Sequence, residues 1–447
     1  MTYKDKKALV CGMGLSGVSA ARLLLRHGAE VTLQDMKAEP AVNRDLLENS
    51  RVSRYFGKDP EDIVGDFDML VLSPGIPCDL PFVAKACGLG VAVLGEMELA
   101  AANCAAPIIA ITGTNGKTTT TSIVGEIMTC YCPESKVVGN IGIPFCDVAD
   151  SMPRDAFVVV ESSSFQLETI QNFHPRISAV LNMTEDHLNR HKTMENYVAA
   201  KERIFENQGE GDFCVLNYDN EYTRPMAAKT RAQVIFFSMN ELETGVFMKN
   251  DAICINWGQY RGKVLDAADL PIPGRHNLEN AMAAVAITAT AGVPLDIIAN
   301  CLRKFRAVEH RLEFVRELDG VRFYNDSKAT NTDSAIKGLE AMTRPVILIG
   351  GGKDKGLDYT DWISRFHDKV KSFIIIGEAV EKLAQTCDVC GFMAYERAGT
   401  MESAVQAAFA AAESGDCVLL SPACASYDMF DNFEQRGQVF KKIVMDL

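Results

Sequence analysis

One stretch, residues 108–121 with the sequence IIAITGTNGKTTTT, constrains the fold of this chain more than any other. Its short apolar, β-branched run predicts a buried parallel strand, and the apolar spacing after the loop predicts a helix. A strand, a glycine loop and a helix in this order cradle phosphate groups, because backbone N–H groups and the helix N-terminus face the anion. Lys117 can then neutralise the β and γ oxygens of a nucleoside triphosphate, and the hydroxyl of Thr118 can ligate Mg²⁺.

The match to the common phosphate-loop motif G-x-x-x-x-G-K-[ST] is incomplete, because Ile111 stands where its first glycine belongs. A glycine turn that holds no ligand is therefore the alternative interpretation. The order of strand, loop, Lys-Thr and helix favours a nucleotide site, and we expect the loop to lie at the surface. The predicted ATP-binding residues of the loop are Gly113, Thr114, Asn115, Gly116, Lys117, Thr118 and Thr119.

The net charge of the chain limits the kinds of ligand that it can bind, and its cysteine content indicates the compartment in which it folds. A formal net charge of −14 over 447 residues argues against nucleic-acid binding, so an anionic substrate needs local cations and amides. The 14 cysteines lie scattered through apolar segments, which indicates a reducing compartment. We expect no signal peptide, and no apolar run reaches the ~20 residues of a membrane span. We therefore expect a cytoplasmic protein without membrane insertion, and we also expect a monomer.

A second glycine-rich turn, Gly12–Gly17, follows the first predicted strand and matches G-x-G-x-x-G. Asp35 ends the next strand, at about the spacing of an acid that binds a ribose. Alone, this pattern suggests an oxidoreductase that uses a nicotinamide dinucleotide. Other diphosphate ligands use the same turn, however, and the oxidoreductase hypothesis leaves the phosphate loop without a function. A further turn, Ser73–Pro77, ends the strand before it, where ligands bind in open α/β sheets.

Three polar residues that follow the phosphate loop are candidates for metal or phosphate binding. Glu161 ends an apolar strand, a usual position for a Mg²⁺ ligand; the alternative is an acid that caps a helix. His187 follows another strand end and is a metal or phosphate candidate; the alternative is an ordinary loop histidine. Lys201 lies in the apolar-flanked half of a predicted helix; the alternative is a lysine that extends its charge to solvent.

Polar clusters also follow three strand ends near the C-terminus, at residues 325–331, 350–356 and 421–433. A nucleotide-dependent switch or binding module would explain the phosphate loop but not these basic strand ends. Because strands alternate with helices along the chain, we predict an α/β fold of three domains with mostly parallel, doubly wound sheets. The predicted domains are residues 1–95, Rossmann-like, residues 96–304, similar to a P-loop ATPase, and residues 305–447, again Rossmann-like.

Taken together, these segments resemble the Mur ligases, ATP-dependent enzymes that form amide bonds in peptidoglycan precursor synthesis. The resemblance covers essentially the whole chain. The GMGLSG start and the C-terminal tail resemble the family member that adds D-glutamate, and the DNPR segment of the member that adds a diamino acid is missing. The motifs that carry the resemblance are GTNGKTT, ESSSFQL, NMTEDH, AAKERIF, GRHN, EHR, NDSKATN and the tail SPACAS…FDNFEQRG.

The resemblance implies a reaction with two substrates. ATP would phosphorylate the carboxylate of UDP-N-acetylmuramoyl-L-alanine to an acyl phosphate, which the amine of D-glutamate attacks with loss of phosphate. Of two Mg²⁺ ions, Thr118 and Glu161 would hold one, and His187 and Lys201 the other. Lys201 would carry CO₂ as a carbamate, because an amine that adds CO₂ becomes the anionic oxygen ligand that hard Mg²⁺ prefers. The implied catalytic residues are Lys117, His187, Lys201 and Lys328.

The resemblance also assigns the ligands of the three domains: the UDP sugar to the first, ATP to the second and the amino acid to the third. Lys353 and Lys355 both stand in one glycine-lysine turn, and we favour Lys355 for the acceptor carboxylate. The nucleotide would contact Asn280, Arg311 and Asp326; the UDP sugar would contact Leu15, Ser16, Asp35, Ser73, Gly75 and Asn140; and D-glutamate would contact Lys328, Thr330, Lys355, Ser426 and Phe433.

Overall fold

The computed structural model describes residues 3–40, 42, 44–306, 308–367 and 369–447. Met1 and Thr2, with which the predicted first domain begins, lie outside these ranges. The chain forms two compact units: residues 1–267 with 279–302, and residues 268–278 with 303–447. The first unit contains two sheets and the second contains one.

The first sheet has five parallel strands in the order β3-β2-β1-β4-β5. The chain leaves β1 toward one edge and returns to the other side of β1 with β4, so the order reverses between these two strands. The elements are β1 (Lys7–Cys11), α1 (Leu15–Arg26), β2 (Glu30–Asp35), α2 (Arg44–Leu47), β3 (Val52–Phe56), β4 (Met69–Leu72), α3 (Pro81–Gly88), β5 (Ala92–Gly95) and α4 (Glu96–Ala101).

The second sheet has nine strands in the order β14-β13-β12-β11-β10-β9-β6-β8-β7. Strands β7 to β12 and β6 pair in parallel, and β12, β13 and β14 pair antiparallel. The elements are β6 (Ile108–Thr112), α5 (Lys117–Tyr131), β7 (Lys136–Gly139), β8 (Val158–Glu161), α6 (Ser164–Leu167), β9 (Ile177–Val180), α7 (Leu188–His191), α8 (Met194–Glu202), β10 (Phe213–Asn217), β11 (Gln233–Ser238), β12 (Gly245–Lys249), β13 (Ala252–Trp257), β14 (Tyr260–Asp266), α9 (Arg275–Thr290) and α10 (Leu295–Lys304).

The third sheet, in the second unit, has six strands in the order β15-β16-β20-β17-β18-β19. All its pairings are parallel except that of β15 with β16. The elements are β15 (Glu313–Leu318), β16 (Val321–Asn325), α11 (Thr332–Ala341), β17 (Val346–Gly351), α12 (Thr360–Ser364), β18 (Val370–Ile376), α13 (Val380–Val389), β19 (Tyr395–Arg397), α14 (Met401–Ala411), β20 (Cys417–Leu420) and α15 (Phe433–Asp446).

Every residue of the central strands β6, β8, β17 and β20 is buried. Central strands of a parallel sheet are covered on both faces, which is why their sequences are continuous apolar runs rather than alternating ones. The carboxyl ends of these strands carry the polar segments singled out in the sequence. The three mostly parallel α/β sheets confirm the predicted fold class, whereas the bounds of the three domains stay a prediction.

Within the first unit, the two sheets are tied together by polar contacts around α1 and α4. The Ser19 hydroxyl donates to Asp147 at 2.7 Å. The buried Glu98 carboxylate accepts the backbone N–H groups of Gln171, Asn172 and Phe173 at 2.8–3.0 Å. These contacts hold the strand ends of the first sheet in a defined position relative to the second.

Among the described residues, no helix combines the length and the apolar character that crossing a membrane requires. The 14 cysteines are free thiols, and several, including Cys11 and Cys214, are packed in the sheet cores.

Candidate active site

The phosphate loop connects β6 to α5, as predicted. Its last glycine, Gly116, has a φ of 80°, and a Cβ at this position would lie 2.2 Å from Oδ1 of Asn280. A side chain is therefore excluded both by the backbone conformation and by the close approach of α9. Asn280, predicted to contact the nucleotide, packs directly against the loop and also accepts the Thr120 hydroxyl at 3.3 Å.

The expectation that the loop lies at the surface is wrong. Thr114 and Asn115 are only 5% and 8% exposed, because the segment after β9 covers them. The Thr114 N–H donates to the Asn182 carbonyl at 2.9 Å, and the Asn115 N–H donates to Oδ1 of Asn182 at 2.8 Å. The Tyr197 hydroxyl donates to Oγ1 of Thr114 at 3.2 Å. Asn182 and Tyr197 were not identified as site residues from the sequence.

The Lys117 side chain folds back over its own loop. Its Nζ donates to the carbonyls of Gly113 and Thr114 at 2.9 and 2.8 Å. The positive charge therefore lies against the loop backbone at the start of α5, where the helix dipole also favours an anion.

Glu161 ends β8 and is almost fully buried. Its Oε1 accepts the side-chain amide of Asn140 at 2.8 Å, whereas its Oε2 is buried without a hydrogen-bond partner. A buried carboxylate oxygen without a partner is costly, and a hard divalent cation is a ligand that satisfies it. The buried Thr118 hydroxyl, in the first turn of α5, belongs to the same class of oxygen donors. The structure thus places Asn140, predicted to bind the UDP sugar, on the Glu161 carboxylate.

Lys201 lies in α8 and is 1% exposed, so the interpretation as a lysine that extends to solvent is wrong. Its Nζ donates to Oγ1 of Thr112 at 3.1 Å and lies 5.0 Å from the centre of the Tyr197 ring. Burial holds the pKa of Lys201 well below its ordinary value, the nearby Lys117 lowers it further, and Asp186 and Glu161 only partly oppose this. Burial therefore favours the neutral, nucleophilic form of this amine over the ammonium.

His187 occupies the turn between β9 and α7, with a left-handed φ of 55°. Its ring packs edge-on against Phe165 and Tyr197, with centroids 5.0 and 6.3 Å apart. A second histidine, His191, is buried in the same aromatic cluster, and its Nε2 lies 2.9 Å from the Ser164 hydroxyl. Burial lowers the pKa of His191. His191 was not among the predicted site residues, although its spacing of one helical turn from His187 could have indicated it.

The glycine-rich turn of the first sheet lies where the strand order reverses, between β1 and β4. A Cβ at Gly17 would lie 1.9 Å from the Gly12 carbonyl oxygen, so the start of α1 packs directly on the turn. The Ser73 hydroxyl donates to that same carbonyl at 2.7 Å, and Asp35 Oδ2 accepts the Met13 N–H at 2.8 Å. The predicted UDP-sugar residues Leu15, Ser16, Asp35, Ser73 and Gly75 all belong to these adjoining segments.

In the second unit, Asp326 follows β16 and is completely enclosed. Its Oδ2 accepts the Ser421 hydroxyl at 3.0 Å, and its Oδ1 accepts the Leu312 N–H at 3.3 Å. Burial raises the pKa of Asp326 to about 6, although Arg311 and the hydrogen bonds oppose the shift. Nε of Arg311 is buried without a hydrogen-bond partner, so it remains available to a ligand acceptor.

Four of the predicted acceptor residues lie on three strand-end loops of the third sheet, and the fifth, Phe433, begins α15. Nζ of Lys328 lies 5.1 Å from the centre of the Phe433 ring. Ser426 is buried, Thr330 is half-buried and Lys355 is exposed. Lys353 forms an ion pair with Glu378, whereas no ion pair of Lys355 is found among the described residues.

A buried arginine that the sequence analysis missed fixes two of these loops. Arg436, in α15, is 1% exposed and donates four hydrogen bonds of 2.8–3.1 Å. They reach the hydroxyl and carbonyl of Ser327 and the carbonyls of Cys424 and Ala425. Burial lowers the pKa of Arg436 to about 10, so it keeps its charge at neutral pH.

Comparison with known protein families gives three adjoining matches along the chain. The Mur ligase MurD-like N-terminal domain matches residues 6–95, the Mur ligase middle domain residues 111–288, and the Mur ligase glutamate ligase domain residues 310–424. The proteins of Alkaliphilus metalliredigens and Caldicellulosiruptor bescii named UDP-N-acetylmuramoylalanine–D-glutamate ligase are each 45% identical over 100% of this chain and 99% of their own length.

Solved structures with the same fold include UDP-N-acetylmuramate-alanine ligase from Thermotoga maritima, with a TM-score of 0.63, 17% identity and 99% of both chains covered. The MurF ligase of the same organism, solved in complex with ADP, has a TM-score of 0.62 and 14% identity over 100% of this chain and 96% of its own. Both structures match this chain along almost its whole length, so the shared fold includes all three sheets. On the strength of the full-length relatives, the chain belongs to the Mur ligase family.

Proposed function

We propose that this chain is an ATP-dependent ligase that joins D-glutamate to UDP-N-acetylmuramoyl-L-alanine in peptidoglycan precursor synthesis. The observation that carries the proposal is the phosphate loop after β6, with Glu161 and Lys201 buried beside it. The full-length relatives named for this reaction support the choice of substrates. The ADP complex of a ligase with the same fold supports a nucleotide at the loop.

ATP binds with its triphosphate in the loop Gly113–Thr119. Lys117 exchanges its two loop carbonyls for the γ-phosphate and neutralises charge there, because an ammonium preorganised on the loop needs little rearrangement. Asn280 contacts the nucleotide from the side of Gly116. In the second unit, we assign Asp326 and Arg311 as nucleotide contacts, and the support is Nε of Arg311, which is buried without a hydrogen-bond partner.

The donor set beside the loop fits two Mg²⁺ ions. Thr118 and Glu161 hold the first, and the support is the buried Oε2 of Glu161, which lacks a partner. His187 and Lys201 hold the second. When bound, Mg²⁺ supplies positive charge that offsets the charges of the phosphates and the substrate carboxylate.

Lys201 binds CO₂ as a carbamate. Burial lowers the pKa of Lys201 well below its ordinary value, which favours the neutral amine that this reaction requires. The product is an anionic oxygen ligand, which suits a hard cation where an ammonium would repel it. The Thr112 hydroxyl, now 3.1 Å from Nζ, can hold the group in place.

In the reaction, the carboxylate of UDP-N-acetylmuramoyl-L-alanine attacks the γ-phosphorus, ADP leaves and an acyl phosphate forms. The D-glutamate amine then attacks the acyl carbon, and phosphate leaves with formation of the amide. The UDP sugar is held by Leu15, Ser16, Asp35, Ser73, Gly75 and Asn140. D-glutamate is held by Lys328, Thr330, Lys355, Ser426 and Phe433, which offer two cations for two carboxylates.

The test is phosphate release from ATP, with each substrate left out in turn. Release should require both UDP-N-acetylmuramoyl-L-alanine and D-glutamate, and L-lysine or meso-diaminopimelate should not replace D-glutamate. Lys117→Ala should lose roughly a hundredfold or more in rate, as expected when a preorganised charge is removed from a transferring group. Release without the UDP-linked substrate, or saturable NADH binding by the first sheet, would contradict the proposal.

We place the reaction in the cytoplasm and assign a monomeric state to the protein. The free thiols support a reducing compartment. Sedimentation equilibrium tests the monomer directly, because a dimer would double the apparent mass of 48.9 kDa.

A further inference from the structure

Arg190, near the end of α7, connects three segments of the first unit. Its Nη2 donates to the Ile76 carbonyl at 3.2 Å, in the turn Ser73–Pro77 of the first sheet. Nη2 and Nε donate to the two carboxylate oxygens of Glu168, at 2.5 and 3.3 Å. The guanidinium also lies 5.1 Å from the centre of the Phe165 ring. A planar, forked guanidinium can make all these contacts at once, whereas the point charge of a lysine cannot.

The same residue is coupled to His187 through the backbone and through Phe165. The N–H groups of Arg190 and His191 donate to the His187 carbonyl at 3.0 and 3.1 Å. The Phe165 ring contacts both the His187 ring and the Arg190 guanidinium. The left-handed backbone of His187 carries strain of order 1–2 kcal/mol, so it persists only where its surroundings enforce it.

Glu168 links Arg190 to Cys78, the residue that directly follows the turn Ser73–Pro77. The Cys78 thiol donates to Oε2 of Glu168 at 3.7 Å, and Nδ1 of His191 lies 3.6 Å from Oε1. Burial opposes the charge of Arg190, but the pairing with Glu168 more than offsets it, and the pKa of Arg190 is raised. The network is therefore a charged, mostly buried connection rather than a solvent-exposed ion pair.

We infer that Arg190 is a positioning residue that fixes the turn Ser73–Pro77 relative to His187. The inference rests on the proposed function, in which Ser73 and Gly75 hold the UDP sugar and His187 binds Mg²⁺. One guanidinium then sets the distance between the sugar end of the substrate and the place where its carboxylate is phosphorylated. Arg190 acts through the turn and through His187, and it determines affinity for the UDP-linked substrate.

The variant Arg190→Met removes the charge and the fork but keeps an apolar side chain of similar length. We expect KM for UDP-N-acetylmuramoyl-L-alanine to rise about tenfold or more, the usual consequence of losing a charged, buried hydrogen bond. The Mg²⁺ concentration for half-maximal rate should rise as well, while KM for D-glutamate stays within about twofold. Arg190→Lys should remain impaired, because an ammonium cannot contact Ile76 and both Glu168 oxygens together.

Arg176 offers a matched control. It pairs with Asp212 at 3.2 Å and its guanidinium lies 5.7 Å from the Phe213 ring centre, but it precedes β9, at the opposite end of that strand from the phosphate loop. Arg176→Met should leave both KM values and the Mg²⁺ concentration for half-maximal rate unchanged. Equal losses in both arginine variants, or a general fall in kcat with unchanged KM, would show a merely structural contribution and overturn the inference.

Glu168→Gln gives a second route if Arg190→Met folds poorly, because it removes the charge that pairs with the guanidinium and leaves Arg190 in place. KM for UDP-N-acetylmuramoyl-L-alanine should again rise, while KM for D-glutamate stays within about twofold. An unchanged KM for the UDP-linked substrate in a folded Glu168→Gln variant would overturn the inference. A different result tests the proposed function itself. It would be wrong if the wild-type protein showed no phosphate release that depends on both substrates.

Discussion

At the scale of single residues, the site depends on charged groups taken out of water. Glu161 keeps one carboxylate oxygen without a partner, and Lys201 keeps an amine whose pKa burial lowers. Buried ionisable groups of this kind concentrate at functional sites, because a fold gains little stability from burying them. Lys201 gives a prediction that stability alone would not.

Lys201→Ala should be inactive, because it removes the nitrogen that adds CO₂. A small acid such as formate should restore part of the activity by supplying the missing oxygen ligand. The carbamate itself should appear as a ¹³C resonance when the wild-type protein is equilibrated with labelled CO₂, and this signal should be absent from the variant. An active Lys201→Ala protein without added acid would exclude the carbamate.

Lys353 and Lys355 give a matched pair for the acceptor site. Lys353 is neutralised by Glu378, whereas Lys355 stands exposed two residues later. Lys355→Ala should raise KM for D-glutamate roughly tenfold or more and leave KM for ATP nearly unchanged. Lys353→Ala should change neither value by more than about twofold, since exposed ion pairs contribute little. The reverse ranking in steady-state kinetics would assign the carboxylate to Lys353.

At the scale of elements, the packing of α9 against the phosphate loop could not be predicted from the sequence. The loop itself was predicted from its glycines and Lys-Thr, and the central strands from continuous apolar runs. Strands β3, β14 and β15 were missed because they are half-exposed and carry polar residues. Strands β12, β13 and β19 were missed as well. The contact of Asn140 with Glu161 was missed for a different reason: side-chain partners far apart in the chain leave no local pattern.

Gly116→Ala tests the contact between the loop and α9. The substitution adds the strain of a left-handed alanine, about 1–2 kcal/mol, and places a Cβ 2.2 Å from Asn280. Gly90 has nearly the same φ, 78°, but a Cβ there meets no atom within 4 Å. Gly116→Ala should lower kcat/KM for ATP about a hundredfold, and Gly90→Ala should leave it unchanged. Equal values for the two variants in phosphate-release assays would show that the approach of Asn280 is unimportant.

At the scale of the whole molecule, the predicted nucleotide residues are divided between the two compact units: the phosphate loop and Asn280 belong to one, and Arg311 and Asp326 to the other. These nucleotide assignments came from the resemblance to the Mur ligases, and the sequence did not indicate buried supporting residues such as Arg436. The stability of the fold also depends on pH, because Glu96, at the start of α4, is buried. Its Oε1 accepts the Cys146 N–H at 2.6 Å.

Burial raises the pKa of Glu96 from 4.5 to about 7, against the opposing hydrogen bonds from Cys146. The shift in pKa stabilises the folded state fully at pH values below the pKa of Glu96 in the unfolded chain. This stabilisation is lost as the pH rises through the folded-state pKa of about 7. Glu96→Gln should therefore increase the free energy of unfolding at pH 8 by about 2–3 kcal/mol and have little effect near pH 4. Denaturant unfolding at both pH values measures the difference in stability. Glu61→Gln is the control, because the Glu61 side chain is exposed. A variant less stable than wild type at pH 8 would contradict the argument.

The strand order of the third sheet has a consequence for folding during synthesis. β20 lies between β16 and β17, so these two earlier strands have no common partner until residues 417–420 have been synthesised. The loops that follow β16 and β20 also depend on hydrogen bonds from Arg436, in the later helix α15. Domains fold as units during synthesis, the N-terminal ones first. On the ribosome, the phosphate loop can therefore fold well before the third sheet is complete, and a chain that stops within α15 before Arg436 would lack the side chain that joins these two loops.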